Sequence, residues 1–113
     1  MNTPDPRRLA FDLVADGIDG GLPVPQRIEI GDADCNRGDL TVHLGDDARD
    51  AADRWAACLG LPAPTMPDHG PIPGQGRWFQ PYGARADRYP LTGRAVAVRT
   101  YVTVPAPAEA VAR

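Results

Sequence analysis

An α+β fold is predicted: a four-stranded antiparallel sheet, two hairpins, with two helices packed on one face in the order αββαββ. Three observations predict it. Apolar residues recur at helical spacing in two segments. Three runs instead alternate with period two, as half-buried strands do, and a fourth, aromatic run reads as an edge strand. The runs come in two pairs with a helix between them, which favours antiparallel neighbours and helices on one face. At 113 residues the chain suits a single small domain spanning 1–113.

The first helix is expected over 5–18, DPRRLAFDLVADGI. Leu9, Leu13, Val14 and Ile18 share a stripe, with Ala10 and Phe11 beside it. Asp5 is a good N-cap and Pro6 fits the first helical position. Gly17, Gly20 and Gly21 are expected to end the helix.

QRIEI at 26–30 places Ile28 and Ile30 on one face, and DLTVHL at 39–44 does the same with Leu40, Val42 and Leu44. Thr41 and His43 fall on the other face. GDADCNRGD at 31–39 joins the two runs as a polar hairpin loop. Segment 46–59, DDARDAADRWAACL, reads as the second helix, capped by Asp46 or Asp47 and paired Asp50 to Arg54. Ala48, Ala51, Ala52, Trp55 and Leu59 form its apolar stripe, with Cys58 at the margin. Gly60 and Leu61-Pro62 end it.

Residues 62–76 are rich in proline and glycine and read as a loop pinned by Met66 and Ile72. A connection this long is usually functional or mobile. RWFQPYGAR at 77–85 reads as an aromatic edge strand broken at Pro81. RAVAVRTYVTV at 94–104 is the strongest strand. It puts Val96, Val98, Thr100, Val102 and Val104 on one face, and Ala95, Ala97, Arg99, Tyr101 and Thr103 on the other. The tail, 105–113, is expected to fray or form a short turn.

Hydrophobic residues make up 42% and charged residues 24%, a globular balance. A net charge of −3 argues against broad phosphate binding, though not against a local basic patch. All 12 basic residues are arginines, as a GC-rich genome would supply. No secretory leader or membrane span is apparent, so a cytoplasmic setting is expected. Cys35 and Cys58 are then free thiols.

Candidate chemistry is sparse. Counted from Asp32, a calcium loop would need glycine at its sixth position and glutamate at its twelfth; Arg37 and His43 stand there. Asp32, Asp34 and Asn36 therefore read as turn residues, and Arg37-Gly38-Asp39 as a chance triplet. Cys35, His43, Cys58 and His69 lack the close-pair spacing of structural zinc ligands. There is no serine, and Cys58 lies at the wrong helix end to stabilise a thiolate. Cys35 with His43 could meet across the hairpin, and Asp68 with His69 could exchange protons; neither pair comes with further machinery. Gly74-Gln75-Gly76 is not set between strand and helix, so it is no phosphate cradle. No metal and no cofactor is expected.

Arginines and aromatics concentrate after Arg77. The plainest reading is that the aromatics close the core. Next comes a protein interface at Trp78, Phe79, Tyr82, Arg85, Arg99 and Tyr101, since Trp, Tyr and Arg supply hot spots. Nucleic-acid stacking is possible but not favoured. The expected function is a small non-enzymatic protein-binding or regulatory accessory protein, self-associating as a homodimer through a sheet edge or the exposed face. The alternatives are a nucleic-acid accessory factor and a small enzyme with its site under loop 62–76.

LPVPQRIEI, AADRWAACLGLP and GRAVAVRTYVTVP together resemble the short uncharacterised proteins of actinobacterial genomes, prophages and integrative elements. The resemblance spans most of the chain. It implies no activity and transfers no functional residue.

Overall fold

A computed structural model describes residues 5–31, 39–66, 71–74 and 76–105. The fold is α+β: two helices and a curled five-stranded mixed sheet. In chain order the elements are α1 (Pro6–Asp19), β1 (Arg27–Ile30), β2 (Leu40–Asp46), α2 (Arg49–Leu59), β3 (Ile72–Gly74), β4 (Arg77–Ala86) and β5 (Val96–Val104). The strand order is β1-β2-β5-β4-β3.

Both expected hairpins form, β1 with β2 and β4 with β5. The join between them does not follow expectation, because β2 and β5 run parallel. The cause is a fifth strand within the proline-rich segment. Thr65 bridges Gly83, and β3 pairs with Arg77–Phe79, so Thr65 and β3 both lie antiparallel on the outer edge of β4. One extra strand after α2 reverses the direction in which β5 arrives beside β2. Proline is tolerated there because an outer edge needs no donor to a further neighbour.

Strand β4 is continuous through Pro81, where a break was expected. Gly83 N donates outward to Thr65 O, away from β5. Pro81, two residues earlier, shares that direction, so its missing N–H takes nothing from the β4–β5 ladder.

Register partners share a sheet face. Leu40, Val42, Val96, Val98 and Val102 lie buried on one face, with Trp55, Ala52, Ala56 and Leu59 of α2 over them. The valine side of β5 is therefore sealed by helical cover, as its alternation predicts. Fully buried Thr100 sits in the same row. Its hydroxyl donates to Gly45 O (2.7 Å) and accepts from Ala48 N (3.0 Å). That clamp joins β5 to a bulge in β2 between His43 and Asp46, and to the start of α2.

Two helix ends differ from expectation. Asp46 closes β2 and Asp47 turns its carboxylate to Thr103, so α2 begins at Ala48 with no side-chain cap. Gly17 lies inside α1, buried, where a stop was expected; Gly20 is the C-cap. Arg54 donates to Gly21 O (3.1 Å), tying α2 to the end of α1, in place of the expected pairing with Asp50. Asp5 caps α1 as expected, accepting from Arg7 N (2.9 Å), and Gly60 ends α2 in the left-handed region.

Candidate functional site

The face of the sheet opposite the helices carries its own side-chain array. Cross-strand register sets Arg27, His43, Arg99 and Gly83 in one row across β1, β2, β5 and β4. The adjacent row holds Glu29, Thr41, Ala97 and Arg85. Beyond them lie Tyr101 opposite Pro81, then Thr103 opposite Phe79, with Ile72 of β3 outermost.

Four of the six predicted interface residues lie on this open face: Phe79, Arg85, Arg99 and Tyr101. Trp78 and Tyr82 do not join them. One residue's shift in parity places both on the helix side, opposite Val104 and Thr100. Tyr82 is buried, donates its hydroxyl to Asp53 Oδ1, and has the Arg49 guanidinium 4.8 Å from its ring centroid. The bond to Asp53, followed by burial and the charge of Asp53, raises the Tyr82 pKa above its ordinary value.

At the β1–β2 end the face is polar and paired. His43 Nε2 lies 2.8 Å from Glu29 Oε1 and 3.3 Å from Arg27 Nη2. With a proton on Nε2 the ring donates to the carboxylate, and Arg27 stands as a second cation 3.6 Å from the same oxygen. The hydrogen bond from His43, then its charge, lower the Glu29 pKa, with smaller contributions from Arg27 and Arg99. At the far corner Asp47 accepts from Thr103 N (2.6 Å) and Thr103 Oγ1 (2.7 Å). These bonds lower its pKa, helped by the charge of Arg77. The Arg77 guanidinium lies 5.2 Å from the Phe79 ring centroid.

Between β4 and β5 the face is concave. A β-carbon built on Gly83 would lie 2.1 Å from the carbonyl oxygen of Val98, so the two backbones close on each other there. The hollow, of about 360 Å³, is bounded by Pro62, Thr65, Pro81, Ala97, Arg85 and Arg99, with Gly83 at its floor. No carboxylate, imidazole or thiol lines it. The hollow lies beside the proline-rich segment, where an enzyme site was one expectation, and its lining supplies cations and apolar surface together with Tyr82.

Gly83, Ala97 and Thr65 were not singled out in the sequence as site residues. An isolated glycine inside a strand is a signal of close backbone approach and could have marked the place.

The remaining candidates scatter. Cys58 is exposed on α2 and His43 lies on the opposite side of the sheet, so these two do not meet. Among the described residues no group of three or more metal-ligating side chains gathers. The calcium reading of 32–38, Cys35, Asp68, His69 and the tail from 106 lie outside the described residues. Met66 packs against the core, while Ile72 is exposed. No described helix is long and apolar enough to cross a membrane. Comparison with protein-family models, with curated proteins and with solved structures yields no match.

Proposed function

We propose that this chain is a protein-binding accessory protein that docks a partner on the open face of β4 and β5. One observation carries the reading: Phe79, Tyr101, Arg85 and Arg99 share the sheet face opposite the described helices, and Arg85 and Arg99 line a hollow in it. Aromatics and arginines concentrate at interface hot spots because they bury large area and make directional bonds. The described helices lie on the other side, so they leave this face accessible. A reducing compartment belongs to the reading, since exposed Cys58 then remains a thiol.

Site-specific photocrosslinking tests it. A benzophenone amino acid at Tyr101 should give discrete adducts in extracts of the producing cell, while the same group at exposed Phe11 on α1 should not. Equal labelling from both positions, or none from Tyr101, overturns the reading. Sedimentation of the purified chain separates self-association from a foreign partner. A homodimer on this face should dissociate in Tyr101→Glu.

A nucleic-acid partner is the second reading, supported by Arg77 over the Phe79 ring on the face that also carries Arg85 and Arg99. It requires binding to single-stranded DNA or RNA that weakens steeply with added salt.

A further inference from the structure

We infer that the hollow between β4 and β5 is a carboxylate-recognition pocket, and that the protein partner presents an acidic side chain to it. The inference rests on the protein-binding reading above and specifies its chemistry.

Arg85 pairs in register with Ala97, and Arg99 with Gly83. Each arginine therefore faces a position with almost no side chain. The two occupy diagonal sites of one cross-strand array, and such neighbours lie roughly 7–8 Å apart. Both stems have room to lean into the space above Ala97 and Gly83. A carboxylate placed there is within reach of two planar forks, and guanidinium binds carboxylate through paired N–H donors.

The charge in the hollow is unbalanced. Its lining holds two cations and no anion. Arg85 has one counter-ion outside it: Nε donates to Asp87 Oδ1 at 2.8 Å, which leaves the two terminal nitrogens of that fork. Among the described residues the Arg99 side chain has no hydrogen-bond partner, and its charge acts on Glu29, which is already bound to His43. Apolar walls from Pro62, Pro81 and Ala97 lower the local dielectric, which strengthens an ion pair formed there.

A protein carboxylate fits better than a phosphate backbone. The hollow is closed on one side by the Thr65 bridge to Gly83, so it receives a single group rather than a tracked strand.

Four probes test the inference: a rhodamine-labelled peptide alternating glutamate and glycine, its glutamine counterpart, glutarate, and single-stranded oligo-dT. Fluorescence anisotropy at low salt reads the labelled probes. Chemical shifts of the arginine Nε–H groups locate each site. The acidic peptide should bind, shift Arg99 and Arg85, and lose about tenfold or more in affinity with Arg99→Gln or Arg85→Gln. Arg88→Gln, a turn arginine outside the hollow, should leave affinity unchanged. Both target arginines are exposed, so the variants should keep the wild-type circular dichroism.

Equal loss from Arg88→Gln, equal binding of the glutamine peptide, or binding of glutarate or oligo-dT without the acidic peptide each overturns the inference. If the peptide fails while Tyr101 crosslinks persist, the carboxylate assignment falls and the docking face stands. If both fail, both fall.

Discussion

The indole of Trp55 rests directly on the backbone of α1 at Gly17. A β-carbon there would lie 2.7 Å from two carbons of the ring. Trp55 is fully buried, and its Nε1 donates to Pro23 O at 2.8 Å, so the ring is held at both ends and cannot retreat.

Gly17→Ala should therefore destabilise the fold by about 1–3 kcal/mol, despite the gain of about 1 kcal/mol in helix propensity that alanine brings. Urea denaturation measures it. The cost should largely vanish in a Trp55→Leu background, where the clash is gone. Additive effects of the two substitutions would show that the contact is not the cause.

Gly83→Ala should be worse, because the obstacle is backbone. The Val98 carbonyl cannot rotate away without breaking the β4–β5 ladder. A loss of about 3 kcal/mol or more is expected. A near-neutral result in chemical denaturation would mean that the strands do not close at this point.

Thr100→Val keeps shape and removes the hydroxyl. Ala48 N then loses its acceptor, and Gly45 O loses a donor, at a place shut off from water. Leaving a buried polar group unpaired costs about 1–3 kcal/mol. Hydrogen exchange at Ala48 should accelerate together with that stability loss. Unchanged exchange there would count against the clamp.

Acid should loosen the open face at two corners. The Glu29 and Asp47 pKa values are lowered in the folded chain, so the stability they contribute is present above their ordinary values of 4.5 and 3.8. It is lost as pH falls through the lower folded values. Carboxyl-carbon NMR should place both midpoints below those ordinary values. His43→Ala should raise only the Glu29 midpoint, and Thr103→Val only that of Asp47. A Glu29 midpoint indifferent to His43 would break the assigned pairing.

The sequence by itself determined the two helices, both hairpins and the buried valine row of β5. These follow from periodicity, caps and turn residues, which act over a few neighbouring positions. It also pointed to the stretch after Arg77 as rich in arginines and aromatics, from which Phe79, Arg85, Arg99 and Tyr101 share one face. Only the tertiary structure decided that Trp78 and Tyr82 face the helices, since strand parity depends on which residue begins the pairing. The parallel join of β2 to β5 was likewise beyond local signals: it turned on Thr65 and β3, edge segments whose prolines disguise them and whose pairing exists only once β4 is in place. The hollow at Gly83 belongs to the same class, since a closing of two backbones is a property of the sheet and not of either strand.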